Sequence, residues 1–285
     1  MFVRLCGFAR GPHAPADCGG VSYSSTHRIS FMMSSPPVRE VALAFLAHPD
    51  DAEILCAGTL IRLADAGWEI HLATATAGDC GSTTLAPDVI ASIRRGESEA
   101  AARQIGARYH CLEERDVQVV ADKPTLRKAI DLFRQIAPSI VFTHPRRDYM
   151  LDHEQVHLLA RAASFSFPIP NASTIPVQAG SIVPWLYYCD PLDGYDPYTG
   201  EPAPATTSVN IAEVLQRKTE MLACHASQRE WLRAHHGIDE YVLAMTRHVA
   251  RRGRERGVPY AEAFAQHRGH AYPQTDLLFE LFGEA

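Results

Sequence analysis

The segment Ala47-His-Pro-Asp-Asp-Ala-Glu53 places an imidazole beside two adjacent carboxylates, directly after a short apolar run. His48 and Asp51 offer the nitrogen and oxygen donors that zinc accepts, while Asp50 points elsewhere and is available to take a proton from water. A catalytic metal site needs about three protein ligands, so we expect a further donor from the segment 143–153, which also follows an apolar run. The alternative is that the two aspartates only cap the helix that follows, where acidic residues are favoured.

An alternation of strands and helices is predicted to position these residues. Apolar runs predict strands over 41–47, 68–76, 107–112, 139–143 and 185–188. Helical spacing of apolar residues predicts helices over 52–66, 89–106, 124–136, from Asp152 onward, over 211–222 and over 237–253. This order predicts an α/β fold, a doubly wound and mainly parallel Rossmann-like sheet with a helical C-terminal portion. Ligands of such sheets bind beyond the carboxyl ends of the strands, where both polar segments lie.

The first 38 residues differ in composition from the remainder of the chain. Residues 1–38 are rich in Gly, Pro and Ser, and we expect a disordered N-terminal arm there. Residues 39–285 are predicted to form one domain, in which 160–285 supply substrate-side loops and C-terminal helices.

Composition excludes several classes of function. The chain has 285 residues and a net charge of −6, which provides no basic surface for nucleic acid. No apolar run approaches the roughly 20 residues needed to span a membrane. The seven cysteines are scattered and never form a C-x-x-C pair, which argues against a disulfide framework and against a thiolate zinc cluster. This usage is typical of a reducing compartment, so we expect a cytoplasmic protein.

Three motifs resemble those of a known family. Ala47-His-Pro-Asp-Asp-Ala-Glu-Ile54, followed by Gly58-Thr-Leu60, resembles the first motif of the LmbE-like (PIG-L) metal-dependent N-deacetylases. Arg94-Arg-Gly-Glu97 resembles the helical R-x-x-E element of that family, and Asp148-Tyr-Met-Leu-Asp-His153 resembles its second metal motif. The resemblance implies an LmbE-like fold and a hydrolase that removes an acetyl group from an amino sugar or glycoconjugate. It also implies zinc as the cofactor, with ferrous iron as the alternative, and a small-molecule substrate.

The resemblance further implies a role for individual residues. His48, Asp51 and His153 would be the zinc ligands, and Asp50 the general base. Asp152 would be a carboxylate that orients a histidine or holds charge near the metal.

Arg94 has two interpretations of equal weight. It would either face the substrate or pair with a carboxylate of the site, or it would be a surface arginine paired with Glu97 or Glu99 on one helix.

One position departs from the family pattern. Met150 stands where the family usually has a histidine, which is thought to steady the oxyanion or to protonate the leaving amine. A thioether does neither, so protonated Asp50 must serve both steps or another residue must take that role. The histidines considered for this role are His144, His225, His235, His236, His267 and His270.

For each of these residues a structural role is the alternative. His144 follows the predicted strand directly and could only orient the loop. His267 and His270 lie in a polar, aromatic segment and could be surface or packing residues. Tyr149 could supply a hydroxyl or pack on the loop.

The substrate and the assembly stay open at this level. The change at Met150 also suits a metal-dependent hydrolase of a non-sugar amide or another ester, and a sugar-binding relative without turnover is a further alternative. The sequence does not distinguish a monomer from a homo-oligomer.

Overall fold

The computed structural model describes residues 40–229 and 241–283. The disordered arm predicted over 1–38, together with His235 and His236, lies outside these ranges. In the part of the chain that is described, no helix combines the length and the apolar composition that crossing a membrane requires.

A seven-stranded mixed sheet forms the centre of the molecule, in the order β3-β2-β1-β4-β5-β7-β6. The first five strands along the chain pair in parallel, and β7 then pairs antiparallel with both β5 and β6. The strands are β1 (Val41–Leu46), β2 (Glu69–Thr76), β3 (Arg108–Glu114), β4 (Ile140–Thr143), β5 (Trp185–Cys189), β6 (Thr207–Asn210) and β7 (Ala261–Gln266).

Helices cover both faces of this sheet. They are α1 (Asp51–Leu55), α2 (Ala57–Asp65), α3 (Pro87–Arg103), α4 (Lys123–Ile136), α5 (Leu151–Ser166), α6 (Leu215–Ala223), α7 (Tyr241–Arg256) and α8 (Leu277–Phe282). Every residue of β1 is buried, because alternate side chains enter two separate hydrophobic clusters on the two faces. The predicted α/β fold with a mainly parallel sheet is therefore confirmed.

The helix predicted over 52–66 is divided in two at Cys56, whose backbone leaves the helical region at φ −144°. Glu262 of β7 accounts for the second start. Its carboxylate accepts hydrogen bonds from the backbone N–H groups of Gly58 at 2.8 Å and Thr59 at 2.7 Å, so it satisfies the free amides at the beginning of α2. This contact comes from the far end of the chain and leaves no local signal.

The C-terminal portion is helical only in part. β6 and β7 lie within 160–285, where the strand over 185–188 is predicted besides loops and helices, and they extend the sheet by two antiparallel strands. Their sequences, Thr-Ser-Val-Asn and Ala-Glu-Ala-Phe-Ala-Gln, have a weak strand pattern. Pairing with β5, rather than local preference, gives them their conformation.

Candidate metal centre and active site

The polar residues meet at the point where the strand order reverses. β2 and β3 lie on one side of β1, and β4 lies on its other side, so the loops after β1 and β4 diverge at the carboxyl edge of the sheet. This crevice is the usual ligand site of a doubly wound sheet. The short turn after β1 carries His48, Asp50 and Asp51, and the start of α5 carries Asp152 and His153.

His48, Asp51 and His153 converge, with one potential ligand atom from each within 4.8 Å of the others. His48 Nδ1 lies 3.2 Å from His153 Nε2, and His153 Nε2 lies 3.6 Å from an Asp51 carboxylate oxygen. All three side chains are buried. The structure thus brings together the three residues predicted as ligands.

The other ring nitrogen of each histidine faces a carboxylate. His48 Nε2 lies 3.0 Å from Asp116 and 3.3 Å from Asp152, and His153 Nδ1 lies 2.9 Å from Asp148. Metal-binding histidines commonly donate their second N–H group to such a carboxylate, which fixes the tautomer and turns the free lone pair toward the metal. The donor set therefore fits a metal bound between His48, Asp51 and His153.

The electrostatics of the cluster also favour a cation. Burial alone would lower the pKa of His48, but Asp116, Asp152 and Asp51 raise it well above its usual value. Burial likewise opposes the charged form of His153, yet Asp51 and Asp148 raise its pKa. The carboxylates thus stabilise added positive charge, and a proton and a metal ion compete for this place.

Asp50 lies beside this cluster in a backbone conformation that non-glycine residues rarely adopt, with φ 96°. Its carboxylate makes no capping hydrogen bond to α1, so capping does not explain it. Arg94 lies 3.2 Å from this carboxylate and donates to the carbonyl of Pro49 at 2.8 Å. Burial raises the pKa of Asp50, and the adjacent Arg94 guanidinium opposes that rise.

The structure places Arg94 inside the protein, with 4% of its surface exposed. Of the two interpretations of this residue, pairing with a carboxylate of the site is therefore the one that it adopts. The glycine-rich loop after β2 makes room for it, since a Cβ atom at Gly78 would lie 2.0 Å from the guanidinium and one at Gly81 2.7 Å.

His144 is fully buried and ties β4 to β1. Its Nε2 atom accepts a hydrogen bond from the backbone N–H of Ala47 at 2.9 Å, and its ring stacks on that of His153 with centroids 3.9 Å apart. Burial, together with His153, lowers the pKa of His144 to about 4. A neutral ring with its acceptor nitrogen already engaged orients the loop, which was the structural alternative for this residue.

Asp152 also has a positioning role beyond its contact with His48. Its two carboxylate oxygens accept hydrogen bonds from the backbone N–H groups of Val117 at 2.7 Å and Val119 at 3.2 Å. These bonds fix the loop after β3, which carries Asp116, next to His48.

The histidines near the C-terminus lie farther away. His267 Nδ1 is hydrogen-bonded to the Tyr188 hydroxyl at 2.8 Å, and Tyr188 in turn packs on His157. Within residues 40–229 and 241–283, neither His267 nor exposed His270 contacts the three predicted ligands.

Several residues of the site were not assigned from the sequence. Asp116 follows the predicted third strand, so its position at the same sheet edge was a usable signal. Asp148 lies within the second motif but received no role.

Three further residues, Glu53, His225 and Tyr241, lie near Asp50. His225 Nε2 lies 3.4 Å from the Glu53 carboxylate, and Glu53 and Asp50 raise the pKa of His225 although burial opposes this. The Tyr241 hydroxyl faces Asp50, and burial together with that carboxylate raises the pKa of Tyr241. No local sequence pattern links these residues to the metal motifs.

Comparison with known proteins finds one matching family and relatives with two different activities. Residues 43–164 match the protein family described as PIG-L, GlcNAc-PI de-N-acetylase. The 4-oxalmesaconate hydratase of Pseudomonas putida is 26% identical over 208 residues, which cover 69% of this chain and 76% of that protein. The 1D-myo-inositol 2-acetamido-2-deoxy-alpha-D-glucopyranoside deacetylase of Rhodococcus jostii is 28% identical over 231 residues, which cover 64% of this chain and 79% of that protein.

A solved structure shows the same architecture. N,N'-diacetylchitobiose deacetylase from Pyrococcus horikoshii superimposes with a TM-score of 0.68 at 25% sequence identity, covering 84% of this chain and 88% of that one.

Proposed function

We propose that the chain is a metal-dependent hydrolase that removes an acetyl group from the nitrogen of an amino sugar or glycoconjugate, because residues 43–164 match the PIG-L family. The observation that carries this proposal is the convergence of His48, Asp51 and His153 within 4.8 Å, with the Asp50 carboxylate at their side. The deacetylases among its relatives support the choice of substrate class.

His48, Asp51 and His153 would hold the metal, and zinc suits two imidazoles and one carboxylate, with ferrous iron as the alternative. When bound, the metal supplies a Lewis acid that polarises the acyl carbonyl and makes a water molecule easier to deprotonate.

The Asp50 carboxylate would act as the general base. It takes a proton from the attacking water, and the Arg94 guanidinium 3.2 Å away favours the ionised form that a base requires. Release of the amine needs that proton back, because the thioether of Met150 has none to give. The Nε2 atom of His144 is already engaged by the Ala47 N–H, and we therefore assign both steps to Asp50.

Replacement of Asp50 by Asn tests the proposal. The variant keeps the shape of the side chain but not its basicity, so we expect bound metal to stay at the wild-type level. The rate of acetate release from N-acetylglucosamine conjugates should fall by about 10²–10⁴-fold. The measurements are metal content by mass spectrometry and acetate release in an enzyme-coupled assay. Full activity of Asp50→Asn would overturn the assignment of the base.

Hydration of a carbon–carbon double bond is a second candidate function. The similarity to a hydratase over 69% of the chain favours it, and so does Met150, because water addition releases no amine that must be protonated. Loss of ultraviolet absorbance from a conjugated unsaturated dicarboxylate, without acetate release from any N-acetyl sugar, would select this function over the first.

A further inference from the structure

A cleft of about 280 Å³ opens at the carboxyl ends of β4 and β5. Its volume is close to the lower end of the range of small-molecule sites, which is about 300–1,000 Å³. The loop after β4 contributes two arginines, and β5 contributes an aromatic hydroxyl next to several apolar residues. These lining residues are Arg146, Arg147, Tyr188, Cys189, Pro191 and Ala265.

The two acidic residues of the cleft already have partners. Asp190 forms a bidentate pair with buried Arg252, at 2.6 and 2.5 Å. Asp196 lies 3.0 Å from Arg147 and also accepts backbone hydrogen bonds from Tyr198 and Thr199. Neither carboxylate is available as the partner of a further cation.

The Arg146 guanidinium contributes a positive charge to this cleft. It is exposed, and among residues 40–229 and 241–283 it has neither a hydrogen bond nor an ion pair. Its charge acts on the Tyr188 hydroxyl, where burial raises the pKa and Arg161 and Arg146 lower it. A guanidinium of this kind binds carboxylate or phosphate oxygens through two parallel N–H groups.

The same short segment connects the cleft with the metal centre. Arg146 and Arg147 lie between His144, which stacks on His153, and Asp148, whose carboxylate is 2.9 Å from His153. The Cα atoms of Arg146 and Asp148 are at most about 7 Å apart, because two residues of extended chain reach no farther. One segment of the chain therefore lines the cleft and also contacts His153 through Asp148.

We propose that this cleft is an anion subsite, in which Arg146 binds a carboxylate or phosphate group carried by the substrate. The inference rests on the proposed hydrolase function, and it narrows the substrate to an acetylated amine that also carries an anionic group. The apolar residues that line the cleft suit the carbon skeleton of such a substrate.

Kinetics on matched substrates test the subsite. Neutral methyl N-acetylglucosaminide is compared with N-acetylglucosamine 1-phosphate and with N-acetylmuramic acid, so that phosphate and carboxylate are separated. For the holoenzyme we expect a preference for one anionic substrate. The Arg146→Gln variant should raise the KM of that substrate about tenfold and leave kcat/KM of the neutral one within about twofold, since a charged hydrogen bond is lost.

The matched control is Arg127→Gln, which removes an exposed arginine on α4. It should leave all three substrates unchanged, whereas Arg146→Lys should recover part of the anion preference. Equal kcat/KM for neutral and anionic substrates in the wild-type protein would overturn the subsite while leaving the hydrolase function intact.

A binding measurement separates the two proposals. Titration calorimetry with inorganic phosphate and with succinate is carried out on metal-loaded Asp50→Asn protein, with and without Arg146→Gln. Loss of binding on removal of Arg146, together with no acetate release by the wild-type protein from any of the three substrates, would support the subsite and reject the hydrolase function. Identical binding isotherms for the two proteins would reject the subsite.

Discussion

Two pairs of histidines, one at the carboxyl edge of the sheet and one within β2 and β3, have pKa shifts in opposite directions. At the carboxyl edge, His48 Nδ1 lies 3.2 Å from His153 Nε2 with ring centroids 5.2 Å apart. Near the beginnings of β2 and β3, His71 Nδ1 lies 2.9 Å from His110 Nε2 with centroids 5.1 Å apart. The pKa of His48 and of His153 is raised, whereas burial and His71 lower the pKa of His110 to about 4.

The carboxylates around each pair explain this contrast. His48 and His153 face buried Asp116, Asp152 and Asp148, whereas His71 faces Glu69, which is half-exposed and shared with Arg108. Histidine geometry alone therefore does not make a metal site, and the surrounding charge decides whether a cation is retained.

The largest expected effect comes from exchanging one histidine in each pair for Gln. His153→Gln removes a ligand, so metal affinity should fall by more than about 100-fold and turnover should fall with it. His71→Gln should keep wild-type metal content and activity. Competition with a chromophoric chelator measures the affinity, and equal metal loss in both variants would contradict the comparison.

A second test concerns the position of the Arg94 guanidinium beside Asp50. In Gly78→Ala the new methyl group displaces the guanidinium beside Asp50, so we expect kcat to fall about 100-fold. Gly106→Ala is the control, because its φ of +68° is similar to the +70° of Gly78 but its surroundings are open. Both variants should lose about 1–2 kcal/mol of unfolding free energy, measured in urea, from backbone strain alone. A normal kcat for Gly78→Ala would show that Arg94 is not needed in this position.

A smaller loss of metal affinity is expected when the charge of Asp148, the carboxylate beside His153, is removed. Asp148→Asn keeps an acceptor 2.9 Å from His153 Nδ1 but removes its charge, so metal affinity should fall by about tenfold. Asp122→Asn is the matched control, since Asp122 caps α4 through the N–H of Thr125 and Asn is an equally good cap. The same chelator competition measures the metal affinity of both variants. Unchanged affinity for Asp148→Asn would mean that a hydrogen-bond acceptor beside His153 is sufficient without its negative charge.

The smallest effect concerns the His71–His110 pair and the dependence of stability on pH. Because the folded-state pKa of His110 is lowered to about 4, its contribution to stability is complete above about pH 6.5 and is lost as the pH falls toward 4. His110→Gln should therefore reduce the fall in thermal midpoint between pH 7.5 and 5, by less than about 4 °C. The measurement uses EDTA-treated protein, so that metal loss does not contribute. Exposed His270→Gln should show the wild-type fall, and the same fall in His110→Gln would refute the prediction.

The convergence of His48, Asp51 and His153 could be predicted because each motif is contiguous. His48, Asp50 and Asp51 occupy a single turn, and the parallel sheet predicted from the hydrophobic pattern brings the segment with His153 to the same edge. The roles of individual residues came from the resemblance to a family, and their proximity is what the structure adds.

The residues that complete the site are dispersed, and this is why the sequence did not assign them. Asp116, His225 and Tyr241 reach the site through loops and helices whose course depends on tertiary packing. Arg94 was ambiguous for the same reason, since only the space left by Gly78 and Gly81 shows which way its side chain turns. β6 and β7 depend on pairing with a partner strand and not on their own residues.

The Glu262 carboxylate that holds the first amides of α2 has a consequence for synthesis of the chain. Its hydrogen bond to Gly58 spans 204 residues, and Lys218 completes the same buried group through an ion pair at 2.6 Å. During translation the turn with His48 leaves the ribosome before β7, so the first amides of α2 stay uncapped until β7 has emerged. A nascent chain that stops before β7 therefore carries the metal motif without the hydrogen bonds that hold α2. Full competence for metal binding is expected to arise only after β7 has been synthesised.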